Sequence, residues 1–361
     1  MRKLFYSVLS IVISLSASKA QNKVVKSTDT SHIHYMGRIM MQPDSSVQLA
    51  WSGTSVVIDF NSSKVEAWLR DEGTTNYYNV IVDGRVVNRI HPSTTKQLYT
   101  LVTGLPEGRH KLELFKRTEW AMGKTWFYGF QLDTNAVILP APFTKKRKIE
   151  FFGNSITCGY AVIDSTGKDR GTGEFEDNYS SYAAITARHY DAEYYCTAKS
   201  GIGVMISWFP LIMPEMYNRL DANDSQSRWD FSKYTPDVVV INLFQNDSWL
   251  INMPNHEQFK ARFGTAKPAA ETIIQAYQKF VQTIRATYPH AQIICALGNM
   301  DATRAGAPWP GYIQQAVAGL HDNQIFTVFF PYKNTPGHPN VKEQQAMSDM
   351  LIKFIDQNIK W

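Results

Sequence analysis

The chain has 361 residues, 44% of them hydrophobic and 19% charged, with 21 Gly, 16 Pro and three Cys, which excludes disordered, collagen-like and disulfide-scaffold proteins. Its 37 basic and 32 acidic side chains give a net charge of +5, and Arg2, Lys3 and Lys19 lie in a segment expected to be removed. The remaining charge is too even and too scattered for a nucleic-acid or membrane-surface footprint.

Residues 1–20, MRKLFYSVLSIVISLSASKA, begin with two cations, pass through an apolar stretch from Leu4 to Leu15 and end on small residues at Ser18 and Ala20. This predicts a secretory signal peptide, and the stretch is shorter than the roughly 20 apolar residues of a membrane span. A secreted or periplasmic protein without a membrane span is expected. Cys158, Cys196 and Cys295 show no C-x-x-C spacing, so buried free thiols are expected in place of a disulfide framework or zinc site. His32 and His34 could share a strand face, but no third ligand follows at a useful spacing, and no metal is expected.

From 27 to 135 the sequence is a series of short alternating runs, among them VVIDF (56–60), VEAWL (65–69), YYNVIV (77–82), LYTLV (98–102), HKLELF (110–115) and TWFYGFQL (125–132). Period-two alternation rich in aromatic and β-branched residues predicts strands, and Asp83-Gly84 and Pro106-Glu107-Gly108 predict turns between them. With no credible helix, the segment reads as an all-β sandwich of jelly-roll type.

Residues 136–147 carry two prolines and a cationic run and read as a linker. From 148 to 361 strand and helix signals alternate: strands at 148–152, 193–198, 237–243, 291–297 and 324–329, helices near 178–190, 267–288, 310–320 and 340–358. This predicts an α/β domain, a parallel sheet covered by helices on both faces.

Ligands of open α/β sheets bind at the carboxyl ends of the strands, and four places there could carry chemistry. Ser155, in IEFFGNSITCGYA, follows a strand and could present its hydroxyl beside backbone N–H groups. Gly201, in AKSGIGV, would let backbone N–H groups approach a ligand. Asn246, in VVVINLFQNDSW, could donate to an oxyanion. His338, in PGHPNVKE, precedes the strongest helix, whose opening turn suits Pro339, and could act as a general base. Alone, each also fits an ordinary turn, loop or cap.

Taken in order, Ser155, Gly201, Asn246 and His338 resemble the four blocks of the SGNH (GDSL-like) hydrolases. FGNSITCGYA, SGIG and the preceding β-domain, with GRH, KRTEW and FYGFQL near its end, look like carbohydrate esterase family 2, in which a jelly roll is fused to an SGNH domain. Three positions depart from the superfamily pattern. Asn154 stands at the usual aspartate beside the serine, Phe244 replaces a glycine beside Asn246, and Thr335 stands where a histidine-orienting aspartate is usual. That orientation would fall to a backbone carbonyl or, distantly, to Asp301.

The resemblance implies a catalytic Ser155–His338 pair, an oxyanion hole of the Ser155 and Gly201 N–H groups and the Asn246 amide, and no cofactor or metal. It also implies a monomeric acetyl esterase whose partner is an acetylated hemicellulose such as xylan or glucomannan, with no nucleic acid. Trp249 and Trp309, in loops after strands, could stack on a sugar ring. Two alternatives remain: a polysaccharide-binding protein that has lost activity, and an esterase for another acetylated glycan such as pectin or peptidoglycan.

Overall fold

The structure, a computed structural model, describes residues 21–361, so the segment read as a signal peptide lies outside the described residues. Among the described residues no helix is long and apolar enough to cross a membrane.

The N-terminal part is an antiparallel β-sandwich of two six-stranded sheets. The alternation seen in the sequence becomes two faces. In the strand Val65–Asp71, residues Val65, Ala67 and Leu69 point into the core while Trp68 and Arg70 are half-exposed, as a period of two requires. Facing strands supply Val56, Ile58, Leu112, Leu114, Phe127 and Phe130 to the same core. Two strands add to the expected runs at the ends of this unit, Lys23–Lys26 against Phe130 and its neighbours and Val137–Ile138 against Asn61 and Phe60. The strand Arg85–Ile90 was not legible. It lies at a sheet edge with five of six residues exposed, and an edge open to solvent has no apolar face to write an alternation.

The C-terminal part holds five parallel strands in the order Ala192–Ala198, Arg147–Gly153, Val238–Asn242, Gln292–Leu297 and Ile325–Phe329. Each central strand feeds two cores. Ile149 and Phe151 join Val238, Val240 and Ile294 beneath the helices Tyr182–His189 and Val341–Asn358. Phe152 joins Val239, Ile241, Ile293 and Cys295 beneath the helices Ala270–Thr287 and Trp309–Ala318. All three cysteines are buried and free. The first strand in sequence lies between the second and third, so the connections leave in opposite directions at its carboxyl end, opening a crevice there.

The two parts meet through buried polar contacts. Arg38 of the sandwich, 2% exposed, places Nη2 2.8 Å from Oε1 of the fully buried Glu150 on the parallel sheet. Its Nη1 donates to the carbonyls of Tyr217 and Arg219 at 2.6 and 2.8 Å, and the guanidinium lies among the Trp51, Trp229 and Phe231 rings. Arg117 donates to Glu176 O at 2.9 Å and pairs with Asp177. Such buried pairs add little net stability against an apolar isostere, yet breaking one costs about 3–5 kcal/mol, so they fix how the parts dock.

Candidate active site

The strand Arg147–Gly153 delivers Ser155 to the crevice. Asn154, fully buried, accepts the Ile156 N–H at 3.0 Å and caps a single helical turn, Ser155–Cys158. This is the work of the residue that replaces the usual aspartate. The helix Val341–Asn358 opens on a capping box at Asn340, whose side chain accepts from Lys342 and Glu343 while Glu343 accepts from the Asn340 N–H. Pro339 therefore precedes the cap and does not sit in the first turn. Gln344 of that helix donates to Ile156 O at 2.9 Å and accepts the Tyr182 N–H at 2.8 Å. The serine turn and the histidine segment are thus tied to one helix.

His338 Nε2 lies 2.8 Å from Ser155 Oγ. Its Nδ1 lies 2.8 and 3.0 Å from the two carboxylate oxygens of Asp169, whose Oδ1 also accepts the His338 backbone N–H at 2.8 Å. A carboxylate therefore does face the imidazole, supplied from a different loop. Asp301 does not take that place: it accepts the Trp249 indole N–H at 3.0 Å and pairs with Arg304. Tyr160 packs against the imidazole with centroids 4.4 Å apart.

Asp169 has a left-handed backbone (φ 55°), which aspartate tolerates better than most residues. Its neighbour Arg170 donates three times to Asp164, from the guanidinium at 2.8 and 3.0 Å and from the backbone N–H at 2.9 Å, clamping the loop on either side. Gly337 (φ 69°) lets the carboxylate come close, since a Cβ there would stand 3.0 Å from Asp169 Cγ. Burial alone would raise the Asp169 carboxyl, but hydrogen bonds and charge from His338 prevail and hold it below its ordinary value.

Gly201 sits third in a turn closed by the Ile202 N–H on Lys199 O at 3.2 Å, with φ 82°, the conformation a type II turn reserves for glycine. Its carbonyl accepts the Trp208 N–H. The N–H groups of Ser155 and Gly201 have no acceptor among the described residues. Asn246 donates to Ile202 O at 2.8 Å, and its Oδ1 accepts the Trp208 indole N–H at 3.1 Å. These partners fix the amide orientation and leave one N–H over. Trp208→Phe removes the acceptor's partner, so kcat should fall about three- to tenfold, the worth of one hydrogen bond, read as initial rates on a chromogenic acetate.

Asp247, next in sequence and fully buried, accepts the N–H groups of Val204, Met205 and Ile206. Burial pushes its carboxyl up to about 6 against those three donors. Asp247→Asn would turn an amide N–H₂ toward them. We expect a loss of roughly 2–4 kcal/mol and a melting temperature lower by about 5–10 °C, measured by calorimetry.

Phe244, the bulky replacement for glycine, also has a left-handed backbone (φ 81°). Its ring is fully buried against Tyr277 and Trp309, with centroids 4.7 and 5.1 Å away, and does not obstruct the crevice. Trp309 is 5% exposed within the same core and does not line the site; the helix it opens turns its indole inward. Trp249 does line it. The cleft, about 450 Å³, is walled by Ser155, Gly201, Asn246 and His338, with Trp208, Trp249, Tyr160 and Phe209 around them and Glu119 and Ala121 reaching in from the sandwich.

A larger cavity of about 880 Å³ lies between the two parts near the amino ends of the first two parallel strands. Its carboxylates are spent on neighbours, Asp59 on Arg109, Glu193 on His34, Asp191 on Lys145 and Glu113 on the Ser55 hydroxyl, so it offers no convergent reactive groups. Glu119, Cys158 and Glu176 lie within metal-ligating distance of one another. Burial pushes the Glu176 carboxyl and Cys158 thiol well above their ordinary values, and a metal would have to displace both protons.

Residues 35–142 match the carbohydrate esterase 2 N-terminal family and residues 151–341 the GDSL-like lipase/acylhydrolase family. Fold and matches together define a carboxylic ester hydrolase of the GDSL-like class. The chain is 32% identical, over 95% of its length, to the cellulase/esterase CelE of Acetivibrio thermocellus, of which it spans 41%, and 26% identical to an acetylxylan esterase/glucomannan deacetylase of Cellvibrio japonicus, covering 99% of this chain and all of the relative. A family two carbohydrate esterase from Clostridium thermocellum, solved in complex with cellohexaose, superposes with a TM-score of 0.80 at 33% identity, over 90% of this chain and 98% of that one. The protein belongs to carbohydrate esterase family 2.

Proposed function

We propose that this chain is a secreted O-acetyl esterase that removes acetyl groups from plant hemicellulose through a serine acyl-enzyme. The observation that carries this reading is the unbroken relay from Ser155 Oγ through His338 to Asp169, with 2.8 Å at each step. In the proposed mechanism His338 Nε2 takes the Ser155 proton as Oγ attacks the acetyl carbonyl, and Asp169 holds the tautomer and steadies the imidazolium. The oxyanion falls to the N–H groups of Ser155 and Gly201 and the spare N–H of Asn246. The sugar leaves with the proton from His338, and water, deprotonated by the same imidazole, releases acetate.

Substrate class follows from the relatives, two of which are named for acetylxylan and glucomannan. Trp249, whose indole edge is fixed by Asp301, offers a ring face for stacking on a sugar. The departures at Phe244 and Thr335 do not favour an inactive binding protein, because Phe244 faces the core and His338 has a carboxylate beside it. Secretion rests on the character of residues 1–20. The test is acetate release from acetylated xylan, acetylated glucomannan and a chromogenic acetate by the purified protein. Release ranked by polymer supports the reading and assigns the substrate, whereas glycan binding with no release from any of the three overturns it.

A further inference from the structure

We infer that Glu119, carried by the β-sandwich, is a positioning residue for the oxyanion hole, so that the sandwich takes part in catalysis and not only in docking. The inference rests on the serine esterase reading. Glu119 is 2% exposed and projects from the sandwich to the wall of the catalytic cleft. Its Oε2 accepts the Ser200 N–H at 2.9 Å. Ser200 is the second residue of the Lys199–Ile202 turn, and the peptide that follows it carries the Gly201 N–H. With Ser200 N–H pinned from the sandwich side and the turn closed by the Ile202 N–H on Lys199 O, the peptide between them has little freedom to swing away.

Two further contacts make this a rigid mount. The Lys199 ammonium lies 4.3 Å from the ring centroid of Trp120, also of the sandwich, and 4.1 Å from that of Phe209, a cation–π clamp on the first turn residue. Glu119 is itself held, its N–H donating to Glu176 Oε1 at 2.6 Å and its carbonyl accepting from the buried Lys116 ammonium at 3.3 Å. Oxyanion stabilisation depends on donors fixed before charge develops, and misplacement by about 1 Å can cost on the order of 100-fold.

The experiment uses a chromogenic acetate, whose leaving group is not a sugar. Glu119→Ala should lower kcat about 10- to 100-fold with KM within about twofold. Glu119→Gln, which keeps an acceptor for Ser200 N–H, should recover most of that loss. Glu119→Asp, which keeps the carboxyl group but draws it back by one methylene, should resemble Ala, and it replaces the Ala variant if that one fails to fold. An unchanged kcat in Ala and Asp, a rise in KM alone, or a Gln variant no better than Ala would each overturn the inference. If Ser155→Ala, run alongside, abolishes turnover while Glu119→Ala does not lower it, only this inference fails; if Ser155→Ala stays active, the reading beneath it fails.

Discussion

Replacing Ser155 with alanine is expected to lower kcat for acetate release by on the order of 10⁵-fold or more, and His338→Ala by a similar factor. The two side chains act as a unit, since Ser155 is a poor nucleophile at its ordinary acidity and His338 without the serine has no proton to take. The double variant should therefore be little worse than either single one. Residual rate comes from donors that still polarise the ester for attack by water. Ser155→Ala should keep its melting temperature within a few degrees, because among the described residues Ser155 Oγ has no partner but His338, whereas His338→Ala also gives up the contact with Asp169. Single-turnover rates on a chromogenic acetate check the claim, and near-normal turnover by Ser155→Ala would remove the acyl-enzyme from consideration.

Asp169→Asn should cost about 10³- to 10⁴-fold in kcat, the scale reached when an orienting carboxylate becomes an amide and the imidazole takes the wrong tautomer. An amide N–H₂ would compete to donate to Nδ1, leaving Nε2 protonated and unable to accept from Ser155. The same substitution has a stability signature. Because the folded protein holds this carboxyl below the 3.8 of an exposed aspartate, its contribution is present above that value and disappears as pH falls through the lower folded one. The gap in stability between the native chain and Asp169→Asn should thus be level from neutral pH to about pH 4 and narrow below it, as urea titrations across that range would reveal. A loss of only a few-fold in kcat would mean that a backbone carbonyl suffices to orient His338.

The sequence carried much of this arrangement and hid a particular part of it. Ser155, Gly201, Asn246 and His338 lie in segments that follow strands, and a parallel sheet brings the carboxyl ends of its strands to one edge, so strand signals put all four segments on that edge and the family resemblance singled these residues out. Asp169 stands in an irregular loop between 159 and 177 with no periodicity to say where it folds back. The pointers to it were local: Asp164 and Arg170 at a spacing that closes a loop, and Gly337 where another segment passes close. Trp309 shows the opposite failure. Its position after a strand resembled that of Trp249, but the helix it starts turns it against Phe244, and helix phase was not readable from so short a segment. Trp208 and Glu119 escaped because their roles are exerted on the partners Asn246 and Ser200, not on a motif of their own.

The Arg38–Glu150 contact has a meaning for descent as well as for packing. A recombination that joined this hydrolase to a foreign sandwich would inherit a carboxylate walled in without its cation, a penalty of about 3–5 kcal/mol against a total of some 5–15 kcal/mol for an ordinary domain. Joined the other way, the arginine would be stranded instead. Each half is thus a lock cut to the other's key, and an exchange made at a junction near residue 140 would part a buried charge from its partner.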